Sequence, residues 1–319
     1  MKKHTFIYRL IVVAALLLLA DMGIGKLLEL AYFNIKKGEQ GRLTYTADSC
    51  RQDIIVLGSS RASHHYIPAI ITDSLRLTCY NTGKDKEGIY FELAVLKMIL
   101  ARHHPALIIV DISPVAFVAS ESDLDAISVL LPYYRMHPEI KPVLNKRSDW
   151  EFVKTYSSLY NYNSMLLQIL LNGFLPGRDT SAAAANGYAP TYHSFIESFD
   201  TARLSRHIAH TADSSLVNVF KQIIQTAASS DCKMIVVSSP VFSMVDRSSP
   251  TLEAARQICV QEQIPFLDYT TATYFSGKQS LFGDAFHLNH DGAILFSQIL
   301  CADLNRLNII KAPLVVKAH

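Results

Sequence analysis

Charge is scarce in this chain. Only 18% of its 319 residues are Asp, Glu, Lys or Arg, against roughly 25% in an ordinary globular protein. Thirty basic residues face 28 acidic ones, a net charge of +2. No basic surplus is available to neutralise phosphates, so no nucleic acid is expected as a partner. Cysteine is rare as well. Five in a chain of this length make no disulfide scaffold, no CxxC pair offers a zinc site, and the odd number leaves one thiol unpaired in a monomer. No internal repeat is present. What fills the chain instead is apolar: half of the residues are hydrophobic, enough to bury a core and exclude wholesale disorder. The length fits one large domain or two modest ones.

The N-terminus concentrates this apolarity. Lys2, Lys3 and Arg9 precede an unbroken run from Leu10 to Ala20. That run rises only about 16 Å, too short for a hydrocarbon core of ~30 Å. It has the length of a signal-peptide core, but no A-x-A cleavage site follows and no Cys lies nearby for a lipid anchor. Apolar residues resume after Asp21 with Ile24, Leu27, Leu28 and Leu30. A helix over residues 4–33 spans a membrane if Arg9 reaches toward the headgroups. An uncleaved signal anchor over 1–33 is the expectation, with a cleaved signal and a buried helix as alternatives. Lys36, Lys37 and Arg42 blunt the comparison of flanking charge. The basic extreme end favours a cytoplasmic start and a body in the periplasm or exterior, and 34–50 reads as a linker.

Beyond it, short apolar runs alternate with helical periods. Residues 53–58 (DIIVLG), 77–81, 106–112 (ALIIVDI), 233–239 (KMIVVSS) and 265–269 read as strands. Their continuous rather than alternating apolarity predicts burial on both faces. Helices are predicted over 90–101, 216–228, 252–262 and 291–307. Strand–helix alternation predicts an α/β fold with a parallel sheet of about five strands and right-handed crossovers. One crossover is far too long. Residues 120–212 read as a mainly helical insertion capping one end of the sheet, with a helix over 150–171 and a loop at 176–190. The α/β domain runs over 51–310, and 311–319 is a tail.

The sharpest local signal is Gly58-Ser59-Ser60-Arg61, directly after the first strand. A serine opening the next helix sits at the carboxyl end of the strands, where open α/β sheets bind ligands. The helix N-terminus supplies unpaired N–H donors there. Alone, this tetrapeptide reads better as a capped helix start. The second signal is Asp284-Ala285-Phe286-His287-Leu288-Asn289, before the last helix. An Asp three residues before a His can hold Nδ1 and leave Nε2 facing a substrate, the base and orienter that an activated serine needs. Among the other polar residues, Arg61 reads as a contact to an anionic or sugar substrate or as a surface ion pair. His64-His65 reads as a polar helix face, and His103-His104 as a helix C-terminus.

A post-strand GSS, a C-terminal DxxHLN, Gly292 and a final helix together resemble the SGNH (GDSL-type) hydrolase superfamily. The resemblance implies a flavodoxin-like three-layer sandwich and a serine esterase or acyltransferase site without a cofactor. By motif match it implies Ser60 as nucleophile, His287 as base and Asp284 as its partner, with an oxyanion hole from Ser60 and from Gly83 of Asn81-Thr82-Gly83. It departs from the family pattern at Ser59, where Asp is usual. It departs again after the third strand, where Asp111-Ile112-Ser113-Pro114 lacks the oxyanion Asn and leaves the Ser113 hydroxyl as stand-in. The layout of anchor, divergent third block and long insertion is similar to a membrane-anchored branch of bacterial envelopes. That branch adds or removes acyl groups, often O-acetyl, on cell-surface polysaccharides, with membrane-bound O-acyltransferases as partners. Two alternatives stand beside it: a degenerate module that binds glycan or scaffolds an acyltransferase, and a lipase or thioesterase with an apolar acyl trench lined by the insertion.

Overall fold

The computed structural model describes residues 2–120, 122–174, 186–194, 211–242 and 249–309. The tail expected at 311–319 and the parts of the insertion at 175–185 and 195–210 lie outside them. Five apolar runs form one parallel sheet: β1 (Ile54–Leu57), β2 (Cys79–Asn81), β3 (Leu107–Asp111), β4 (Lys233–Ser238) and β5 (Phe266–Asp268), in the order β2-β1-β3-β4-β5. Ile54 stands level with Cys79 on one side and Leu107 on the other, and Leu107 with Lys233. This is the flavodoxin-like order, with its switch point between β1 and β3.

Period-two side chains feed two cores. Ile55, Leu57, Ile108, Val110 and Val236 face the layer holding α5 (Ile89–Leu100) and the helix Ser214–Ala228. Ile54, Val56, Leu107, Ile109 and Val237 face α4 (Pro68–Leu75) and the C-terminal helix His290–Arg306. Burial on both faces is why these strands carry no polar alternation.

The N-terminal region carries the expected apolar helix and departs from the expected linker. Helix α1 (Lys2–Asn34) is long and apolar enough to cross a membrane. Its last third belongs to the body, however: Leu28 and Tyr32 are buried, and the Tyr32 hydroxyl donates to Tyr133 Oη at 3.2 Å. The expected linker over 34–50 is largely helix α2 (Gly38–Asp48), which packs on α5 and buries Leu43 and Ala47. Its polar sequence carries little periodicity, so the burial comes from what α5 offers it.

In the insertion, Ile127, Leu130, Tyr133 and Leu144 join the same core as α5. In place of one helix over 150–171 the chain forms Glu151–Lys154, a 3₁₀ turn at Tyr160–Met165 and Leu166–Phe174. Asp21 of α1 is the interruption. Its carboxylate accepts from Ser157 Oγ (2.6 Å), Ser158 N–H (2.7 Å) and Leu159 N–H (3.3 Å).

Candidate active site

The chain leaves β1 through Gly58 and enters α3 (Ser60–His65). Gly58 has φ +153°, and a Cβ there would stand 2.6 Å from Ala62 Cβ, so this exit requires glycine. Ser60 therefore stands at the first position of α3, at the carboxyl edge of the sheet. On the far side, Asn289 caps the C-terminal helix by accepting from Gly292 N–H at 3.0 Å, a bond of the kind that contributes about 1 kcal/mol. This fixes the loop that precedes it.

Ser60 and His287, 227 positions apart, meet here: Ser60 Oγ lies 2.7 Å from His287 Nε2. His287 Nδ1 lies 2.8 Å from Asp284 Oδ2 and 3.0 Å from Oδ1. A carboxylate only accepts, so Nδ1 carries the ring proton, and Nε2 is left bare to accept from the Ser60 hydroxyl. Burial works to raise the Asp284 carboxyl. It is outweighed by the hydrogen bond and charge of His287 and by the N–H groups of Phe286 (2.8 Å) and His287 (2.9 Å), which hold it below the ordinary carboxylate range.

The expected oxyanion donors fare differently. The Ser60 N–H is one of the free amides of a helix start. The Gly83 N–H is engaged, donating to Asn81 Oδ1 at 2.9 Å. Asn81 also donates through Nδ2 to Ala62 O (2.6 Å) and Tyr66 O (3.0 Å), so one buried carboxamide ties the end of β2 to α3. Gly83 itself packs so closely on Ala62 and Ser63 that a Cβ would collide with the α3 backbone. The Ser113 hydroxyl accepts from Val115 N–H at 3.3 Å within its own turn, and no hydrogen bond joins it to Ser60 or His287 among the described residues. That bond uses a lone pair of the hydroxyl and not its proton.

Arg61 makes a buried ion pair rather than a surface one. Its side chain is 3% exposed, with Nη2 donating to Ser239 O and Oγ and Nε 3.7 Å from Asp111 Oδ2. Asp111 Oδ1 also accepts from Tyr66 Oη (2.7 Å) and Ser239 N–H (3.0 Å). A buried ion pair thus underlies Ser60, joining α3 to β3 and the end of β4. The fully buried His65 completes it. Leu288 N–H donates to its Nε2 at 2.9 Å, which leaves Nδ1 protonated to donate to Ser239 Oγ at 2.8 Å. Burial first, then the positive charge of Arg61 and the neighbouring His287 and His64, push its pKa well down, so His65 is a neutral strut beside the His287 loop.

The two histidines read as one polar face do separate work. His64 lies at the rim, its ring centroid 5.4 Å from that of His287. Nδ1 lies 2.6 Å from Ala189 O and Nε2 3.2 Å from Asp85 Oδ2. Burial opposes a charge on this ring, but the hydrogen bond and charge of Asp85 and the Ala189 carbonyl outweigh it, and the pKa rises. Two acceptor-only oxygens call for a proton on each nitrogen. Residues 186–194 of the insertion supply this wall: Asn81 N–H donates to Asn186 O (2.9 Å), Ala189 N–H to Ser63 O (2.9 Å) and His290 N–H to Thr191 O (2.7 Å). No motif marks that stretch in the sequence. A cavity of about 160 Å³ opens beside it, lined by Arg42, Thr82, Gly83, Lys84, Asp85 and Pro190 among others.

Glu92 of α5 is a cost in this region. It is buried, and its Oε2 has no hydrogen-bond partner among the described residues. Burial, then the nearby charge of Asp111, push its pKa up to about 8. A carboxyl raised in the folded state leaves stability intact below its unfolded pKa, near 4.5, and erodes it as pH rises toward about 8. Glu92→Gln is therefore expected to raise the melting temperature at pH 8 and leave it unchanged near pH 4. Parallel melts at the two pH values check this, and an equal shift at both would refute it.

No family model matches the chain, and no curated protein matches it. Solved structures similar to it include a lipolytic protein assigned to the G-D-S-L family from Desulfitobacterium hafniense. That likeness has 11% identity and a TM-score of 0.39, covering 78% of this chain and 97% of that one. Another is an acylhydrolase so designated from Bacteroides fragilis, with 12% identity and a TM-score of 0.37, covering 83% of this chain and 94% of that one.

Proposed function

We propose that this chain is an SGNH-type serine esterase or O-acyltransferase acting on acyl esters, acetyl foremost, of a cell-envelope glycan, its body outside the membrane that α1 crosses. The observation that carries this reading is the Ser60–His287–Asp284 relay at the carboxyl edge of a parallel sheet. Ser60 Oγ attacks the ester carbonyl carbon as its proton passes to His287 Nε2. Asp284, ionised, holds Nδ1–H and balances the imidazolium. The carbonyl oxygen takes up the negative charge beside the Ser60 N–H. Collapse breaks the bond to the sugar oxygen, which receives the proton from His287, and leaves acyl-Ser60. Water then gives hydrolysis, and a sugar hydroxyl gives transfer, with His287 again as base. In the transfer reading a membrane-bound O-acyltransferase is the partner that supplies acyl groups.

Polar walls support a hydroxyl-rich substrate over a fatty acyl chain. Arg42, Thr82, Lys84 and Asp85 line the adjoining cavity, while the leucine helix Leu166–Phe174 packs against α1. A second reading, a catalytically weak module, has one observation in its favour: the engaged Gly83 N–H. Loss of one oxyanion donor costs ~10²–10³ in rate. A fluorophosphonate probe tests these readings. The full-length protein is expected to label, Ser60→Ala to lose the label, and p-nitrophenyl acetate to turn over faster than the octanoate. An unlabelled Ser60 leaves the weak-module reading in its place, and faster octanoate turnover favours the lipase.

A further inference from the structure

The body begins within reach of the bilayer. His4–Ala20 of α1 is exposed throughout, and Asp21 is held by the insertion. These 17 residues rise about 25 Å, so a hydrocarbon core of ~30 Å extends past Asp21 onto Met22 and Ile24, which are exposed, and to the body beside them. The body is apolar at that level. Trp150 (67% exposed), Phe152, Val153 and Tyr156 (79%) stand on the short segment that ends at the Asp21 contact. Next in the chain, the helix Leu166–Phe174 packs on α1 with Ile169 buried, and it turns Leu167 (69%), Leu170 and Leu171 outward. On α1 itself Met22 and Leu27 continue the exposed apolar surface past Asp21.

Resting on the reading of α1 as a membrane anchor, we infer that this flank of the insertion is a second membrane contact, seated in the headgroup–acyl boundary of the leaflet from which α1 emerges. The occupant is lipid because the exposed apolar surface is continuous with that of the anchor. Indole and phenol rings, apolar bodies with polar tips, are the side chains of interfacial belts, and Tyr156 directly precedes Ser157, whose hydroxyl donates to Asp21. The contact adds a second fixed point to α1, whose last third is already packed in the body. It holds the Ser60 edge in one orientation to the bilayer surface, because α1 and the insertion share the α5 core.

Trp150 is the only tryptophan in the chain and reports on this site directly. The full-length protein is reconstituted in phosphatidylcholine vesicles carrying bromine either near the headgroup or near the chain ends, and flotation is scored first. A residue seated about 5–10 Å into the boundary should lose roughly half its emission to the shallow bromine and less to the deep one, with little access to aqueous iodide. Leu167→Trp in a Trp150→Phe background should be quenched too. Val260→Trp in that background, on the exposed face of the helix Pro250–Gln261, should stay open to iodide. Protein that does not float overturns the anchor and this contact together. Protein that floats with Trp150 open to iodide overturns the contact alone. Protection from iodide without quenching by either bromine assigns the flank to protein–protein burial and also overturns it.

Discussion

Ser60→Ala is expected to lower kcat toward acetyl esters by about 10⁶-fold, with the residual rate coming from binding and the remaining oxyanion donor. His287→Ala should cost about as much, and the double variant no more than either. The relay is one device: without the ring no acceptor for the Ser60 proton lies at 2.7 Å, and without the hydroxyl the ring has nothing to activate. Asp284→Asn is the more specific test. It preserves shape, but a carboxamide can donate to Nδ1. The ring proton then moves to Nε2, and Ser60 loses its acceptor. A fall of ~10⁴ in kcat with KM nearly unchanged is the expected result. Melting curves separate chemistry from folding, since Asp284 also accepts from the N–H groups of Phe286 and His287. A Ser60→Ala protein that turns over at the wild-type rate would remove the nucleophile assignment altogether.

The parts of this architecture that could be read from sequence are those written in consecutive residues. Each strand is a run of apolar positions, and burial on both faces makes the run continuous, so all five lie within two residues of where the pattern sets them. Ser60 follows a strand and His287 follows Asp284, so both halves of the relay are local patterns, though nothing local shows that they touch. What escaped is what the tertiary fold decides. Helix α2 has a polar sequence and is buried only because α5 lies over it. Asn81 stands beside a glycine whose N–H it takes for itself, and the sequence shows the glycine alone. His64 and His65 are adjacent, yet one reaches Asp85 at the rim and the other Ser239 beneath, 174 positions away. A helix start points neighbouring side chains in different directions, and only the packed neighbours say which of them is buried. Arg61 is the clearest case, because its partner Asp111 belongs to β3.

Arg61→Met is expected to destabilise the fold by about 3–5 kcal/mol, the cost of leaving one charge of a buried pair alone. Here that charge is Asp111, with a fully buried side chain. The Tyr66 hydroxyl and the Ser239 N–H still reach it, but neither supplies a countercharge. The variant also removes the donors to Ser239 Oγ, leaving His65 as its partner. At 2–4 °C per kcal/mol for a domain of this size, the melting temperature should fall by roughly 6–20 °C. The double variant Arg61→Met/Asp111→Leu should recover a good part of this, since an apolar pair of similar volume removes the uncompensated charge. Recovery is incomplete because the Tyr66 hydroxyl and the Ser239 N–H then lack their acceptor. A substrate-binding arginine would behave in the opposite way, with a raised KM, an unchanged melting temperature and no rescue by the second substitution. The two outcomes therefore decide whether the residue after the nucleophile serves the ligand or the floor of the site, and its 3% exposure places it in the floor.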